Sequence, residues 1–149
     1  MPAQRHEQTG KQRSPFPYGR RRYLLSIAER RFFATLLKAA PPGVAIFSKV
    51  RLADLVFVRK EAEGNKTHFN RIQAKHIDFV ICDIATSAVQ LAIELDDKSH
   101  SRDDRKRRDA FVDDLLKHVH IPLLRFRAKD RYNAAAIAMK LKAVIGRRT

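Results

Sequence analysis

Tryptophan is missing from the 149-residue chain, cysteine occurs once, glycine five times, and Asp plus Glu number 16 against 31 Lys plus Arg. Each shortage excludes something. Cys82 alone cannot form an internal disulfide, which rules out a secreted disulfide scaffold and a Cys-rich zinc module. With so few glycines there is no Gly-rich phosphate loop. Aromatic residues make up 8% of the chain, so a platform that stacks single-stranded bases is disfavoured. The histidines form no H-x-x-x-H zinc pair; His118 and His120 are two apart. Ser99 beside His100 is no triad, because adjacency in sequence does not create the geometry. No apolar run approaches the roughly 20 residues that cross a bilayer. No apolar stretch follows the basic N-terminus as it would in a secretory signal. A cytoplasmic protein with no membrane partner is expected.

What is present is charge and a sufficient core. The net charge is +15 and 44% of residues are hydrophobic, enough to fold one domain of this length. Such a surplus suits a polyanion, and nucleic acid is the commonest. Residues 1–22 form a compositional region of their own. They hold Pro2, Pro15, Pro17 and the run Arg20-Arg21-Arg22, and six cations against Glu7 give them +5. This stretch reads as a flexible basic arm, either touching phosphates or standing as an uninvolved extension. Residues 23–149 read as a single domain.

Ser26-Ile27-Ala28-Glu29 fits a capping box opening a helix, with Ala28, Phe32, Leu36 and Ala39 on one side and Pro41-Pro42-Gly43 closing it. Val44–Leu52 alternates as a strand with a partly basic face. Residues 59–70 are polar, carry Gly64-Asn65, and are expected to be an exposed loop. Two further strands follow, with Ile77, Phe79 and Ile81 in one and Val89, Leu91, Ile93 and Leu95 in the other. A charged helix spans 101–119, Leu123–Ala128 is another strand, and Asn133–Ile145 a final helix. The order is helix, three strands, helix, strand, helix. It implies an α/β domain with a small mixed sheet flanked by helices.

The acids of this basic chain are not scattered. Glu94 and Asp96 are two apart on a strand, so their side chains leave one face. If Ala85-Thr86-Ser87 is a three-residue hairpin loop, Ile84 sits opposite Ala88 and Asp78 lies directly across from Glu94. A slip by one residue would send Asp78 to the other face. Crowded carboxylates repel, at about 3–4 kcal/mol for two charges 4–5 Å apart at an effective dielectric near 20. Protonation, an intruding Lys or Arg, or a cation relieves them. Spacing alone leaves open whether these acids hold a hard divalent ion or sit in water and pair with arginines.

Lys75-His76-Ile77-Asp78-Phe79-Val80 followed by Ala92-Ile93-Glu94-Leu95-Asp96-Asp97-Lys98-Ser99-His100 resembles the PD-(D/E)XK nuclease superfamily. Its nearest likeness is to the bacterial family labelled domain of unknown function 2726, similar in turn to very-short-patch repair endonucleases. The likeness spans roughly residues 23–130. It implies a restriction-endonuclease-like αβββαβ core followed by a C-terminal helix. It also implies a metal-dependent endonuclease-like phosphodiesterase acting on DNA with Mg²⁺ or Mn²⁺. Asp78 then matches the first acid and Glu94 the second, while Asp96 stands where the superfamily has its lysine. That departure makes Asp96 a further candidate metal ligand. It also keeps alive a noncatalytic nucleic-acid-binding module that has lost cleavage, and an interaction domain that docks through its basic arm. His100 is a candidate general acid or base, or else a surface or capping histidine. Lys98, Lys75 and Lys49 are candidates to replace the lysine. Together with Arg51 they are equally candidate phosphate contacts. Glu29 could extend the acid cluster, although its capping box explains it. Cutting both strands would favour a homodimer or two successive nicks.

Overall fold

Ser26 caps the first helix of the computed structural model, which describes residues 15–97 and 102–146. Its hydroxyl accepts from the Glu29 backbone N–H at 3.1 Å, and the Glu29 carboxylate accepts from the Ser26 N–H at 2.7 Å. This capping box starts helix α1, Ile27–Ala39, and Phe32, Leu36 and Ala39 are its buried stripe. Gly43, at φ +82°, turns the chain into strand β1, Val44–Arg51. Replacing Ser26 with Ala removes one half of the box. Urea denaturation is expected to show a loss of about 1 kcal/mol.

Residues 59–64 form the largely exposed loop expected there, but residues 65–70 of that stretch are helical. A short helix α2, Leu52–Leu55, is followed by helix α3, Asn65–Gln73. Helix α3 buries only Ile72, so no apolar period betrays it in the sequence. Gly64, at φ +67°, is its N-cap rather than the tip of a loop.

Strands β2, His76–Asp83, and β3, Val89–Asp96, form the antiparallel hairpin at the centre of the sheet. The hairpin is closed differently from expectation. Asp83, not Ile84, faces Ala88, through an Asp83 N–H···O=C Ala88 bond of 2.9 Å, leaving four residues in the loop. Asp83 Oδ1 organises that loop by accepting from the backbone N–H groups of Ala85 and Thr86 at 3.0 and 2.8 Å. A register shift between Ile81 and Cys82 then takes up the extra residue. Farther along, Phe79 pairs with Ile93, Val80 with Ala92 and Ile81 with Leu91, the register expected from placing Ile84 opposite Ala88.

Helix α4, Arg102–His118, carries the chain to strand β4, Leu123–Arg127, which lies parallel to β3. Asn133 caps helix α5, Ala134–Ile145, by accepting from the Ala136 N–H at 3.1 Å. The sheet order is β1-β2-β3-β4, with both β1 and β4 at edges. One sheet face packs on α1 and α5 through Phe32, Leu36, Phe79, Ile81, Ile93 and Leu141. The other packs on α2, α3 and α4 through Leu52, Ile72, Val80, Ala92, Val112 and Leu116. The result is the expected mixed α/β architecture, three layers with a C-terminal helix. Covering both faces explains why Phe79–Cys82 and Leu91–Ile93 are buried without interruption. Cys82 lies in that interior as a free thiol, and burial pushes its pKa up, which suits a packing role. No helix among the described residues is long and apolar enough to cross a membrane.

Candidate metal and nucleic-acid site

The hairpin ladder stops short of its acids. Pairing is regular from Phe79↔Ile93 to Ile81↔Leu91. Beyond that pair the Leu95 backbone N–H donates not to a strand carbonyl but to Asp78 Oδ2, at 2.7 Å. The Asp78 carboxylate thus occupies the place where the next ladder bond would form. A charge-assisted bond of this kind fixes the side chain where the strands part.

Glu94 continues the line of Ala92 on β3, directly past the buried core. Removal from water, then the charge of Asp78, then a hydrogen bond to Asp78 push its carboxyl up to about 8. Arg125 and Arg108 act in the opposite direction and are outweighed. The Glu94 carboxyl is therefore held toward its neutral form by burial and by the neighbouring Asp78. Asp78 and Glu94 are brought together as the hairpin register required.

Asp96 is not part of that pair. Its Oδ1 lies 3.3 Å from a terminal nitrogen of Arg125 on β4. The same guanidinium reaches Asp113 at 2.8 Å and Asp109 at 3.7 Å on α4. Burial works against the Arg125 charge, but Asp113, Asp109 and Asp96 outweigh it and hold its pKa above the ordinary value. Asp109 on α4 thus faces Arg125 of β4. The three-carboxylate cluster anticipated from spacing is therefore a pair plus a separately neutralised acid. Among the described residues no three His, Cys, Asp or Glu side chains are grouped to hold one metal ion. Cutting Arg125 back to Ala strands three carboxylates around a half-buried gap. A loss of about 2 kcal/mol in urea denaturation is expected, larger than for an exposed pair and smaller than for a fully buried one.

The model of one protein family, described as a protein of unknown function (DUF2726), matches residues 21–144. The chain belongs to the DUF2726 family. No curated protein and no solved structure matches it.

Of the remaining expected site residues of this DUF2726 chain, Lys49, Arg51 and Lys75 are among those described. Lys49 sits on edge strand β1 with left-handed backbone, φ +53°, and its Nζ lies 3.2 Å from Glu29 Oε1. Glu29 is thereby used twice, in the capping box and in this ion pair. Arg51 is held by Asp54 at 2.7 Å. Lys75 donates to the Arg71 carbonyl and lies over the Phe111 ring. Burial and the neighbouring Arg71 and Arg108 lower its pKa. Lys98 and His100 lie outside the described residues, as do residues 1–14 of the basic arm.

Sequence reasoning missed Arg125, the residue that decides where Asp96 goes. The signal was there in the alternation of Leu124 and Phe126 with Arg125 and Arg127. It was there too in the i,i+4 spacing of Asp109 and Asp113 beside the buried Val112 and Leu116.

Proposed function

We propose that this DUF2726 protein is a divalent-cation-dependent, endonuclease-like phosphodiesterase acting on DNA, with Asp78 and Glu94 as the carboxylates that hold the ion. The observation that carries this is the half-buried Glu94 held beside Asp78, itself fixed by the Leu95 N–H, inside a protein of net charge +15. Basic proteins gain little from burying two like-charged carboxylates side by side, and a bound divalent cation turns that repulsion into attraction. The donor set fits Mg²⁺ or Mn²⁺, since hard ions take carboxylate oxygens and Mg²⁺ commonly uses one or two, completing its shell with water and phosphate.

When bound there, such an ion lowers the pKa of a coordinated water and offsets charge gathering on the phosphate. The chain's own groups do the rest. Leu95 N–H keeps Asp78 aimed between the strands. Arg125 holds Asp96 beside the pair and adds positive potential to Glu94. In hydrolysis a water oxygen bonds to phosphorus, the P–O bond to the leaving sugar oxygen breaks, and that oxygen takes a proton. A single buried thiol suits a reducing cytoplasm. Two copies acting together would cut both strands.

One observation favours a second reading, a noncatalytic DNA-binding module. Asp96, at the position expected to carry a lysine, is tied up by Arg125. Plasmid and linear DNA incubated with Mg²⁺, Mn²⁺ or EDTA separate the two. Metal-dependent nicking that disappears in Glu94→Ala supports the phosphodiesterase. Salt-sensitive binding that EDTA leaves unchanged, with no cleavage, supports the module. No binding near physiological salt points instead to an interaction domain.

A further inference from the structure

Edge strand β4 and helix α5 enclose a cleft of about 310 Å³. Arg125, Arg127, Lys129, Arg131 and Lys140 line it together with Tyr132, and no Asp or Glu does. Among the described residues, Arg127, Lys129, Arg131 and Lys140 have no carboxylate within ion-pair distance, unlike Arg31, Lys49, Arg51 and Arg125. The single acid of the β4–α5 connection, Asp130, pairs with Arg31 at 2.7 Å and does not line the cleft. Four cations held close with nothing to neutralise them repel one another, and an anion in the cleft relieves that.

The backbone that presents these cations is fixed. Ala128 N–H donates to the Asp96 carbonyl at 2.8 Å, so the connection leaves β4 in register. Lys129 N–H donates to Tyr132 Oη at 2.8 Å. The Tyr132 ring stands edge-on to Phe32 in the core, with centroids 5.3 Å apart. Lys140 lays its Nζ 5.3 Å from the Phe126 ring centre. Immobilising the connection before binding lowers the ordering cost that a loose basic loop would incur.

We infer that this cleft seats the sugar–phosphate backbone of a nucleic-acid strand, with Arg127, Lys129, Arg131 and Lys140 as its phosphate contacts. Charge complementarity selects a polyanion, and the cations follow one another along the chain as phosphates follow along a strand. Arg125 joins the cleft to the acid site, because it lines the former and bonds Asp96 next to the latter. The inference rests on nucleic acid being the substrate of the acid pair, but not on cleavage taking place.

Fluorescence anisotropy with labelled duplex and single-stranded DNA of about 20 nucleotides, in EDTA, reads binding without chemistry. The cleft variant is Lys129→Gln/Arg131→Gln/Lys140→Gln, which keeps the side-chain stems. A control, Arg59→Gln/Lys60→Gln/Lys66→Gln, removes the same charge from the exposed α2–α3 segment. Thermal melting of both variants verifies that they fold. The cleft variant is expected to bind about a hundredfold more weakly, and its log Kd–log salt slope to fall by about 2 to 3. The control is expected to stay within about threefold of the parent. Equal losses in both variants overturn the inference, because net charge then suffices. Failure of the parent to bind either DNA also overturns it, and so does tighter binding of polyglutamate than of DNA. Binding as expected without any cleavage leaves the cleft standing and removes only the phosphodiesterase.

Discussion

Melted without divalent ions at a series of pH values, the protein is expected to lose stability as the pH rises from about 5 to about 9, and Glu94→Gln to flatten that fall. The sign follows from the direction of the Glu94 shift. Its carboxyl is raised from 4.5 to about 8 by burial and by Asp78. Between those values the folded chain keeps a proton that the unfolded chain has released. Stability from this group is complete below its unfolded pKa and is lost as pH climbs through its folded pKa. The loss is on the order of a few kcal/mol, or about 10 °C in melting temperature for a domain of this size. Asp83 and Asp54 have carboxyls held low, the first by the Thr86 N–H and hydroxyl and the second by Arg51. They act in the opposite sense and only at acid pH. Adding Mg²⁺ near about pH 8 is expected to restore the lost stability, since an ion that binds only the folded state stabilises it by mass action. A melting temperature independent of pH over this range in the parent protein would mean that the acid pair is open to water.

Substitution within the pair is expected to have the largest effect on activity. Glu94→Gln and Asp78→Asn each keep shape while removing a ligand charge. If the bound ion supplies several kcal/mol of transition-state stabilisation, cleavage falls by about two to three orders of magnitude in either variant. Asp96→Asn is expected to cost less than about tenfold, because that side chain faces Arg125 and not the pair. Rates of plasmid nicking at saturating Mg²⁺ rank the three. Equal losses at all three positions would show that Asp96 swings from Arg125 into the metal site. That ranking separates the carboxylate pair from the three-acid set suggested by spacing.

The contrast between pair and triad shows how much the chain discloses before it is folded. The hairpin register was inferred from a three-residue loop with Ile84 opposite Ala88, and the pairing it implies is found from Phe79↔Ile93 to Ile81↔Leu91. The loop from which it was inferred was misread. Four residues stand where three were expected, and the irregularity at Ile81–Cys82 absorbs the difference. The start of helix α1 could be read because its cap is a side-chain hydrogen-bond pattern spelled out in Ser26 and Glu29. Helix α3 could not, since a helix with one buried anchor owes its form to the Leu52–Ile72 contact layer and not to its own period. The destination of Asp96 was hidden for another reason. It depends on Arg125 reaching β3 and α4 at once, a contact between elements far apart in sequence that no local spacing encodes.

The most direct test of the acid pair is calorimetric titration of the protein with Mn²⁺ near about pH 7 in buffers of different ionisation enthalpy. Glu94 holds its proton at that pH, so ligation must expel it. One ion per chain is predicted, with release of close to one proton, and neither heat nor proton release in Glu94→Gln. Binding of Mn²⁺ with no proton released, or with the same affinity in Glu94→Gln, would place the ion elsewhere and contradict the metal site at Asp78 and Glu94.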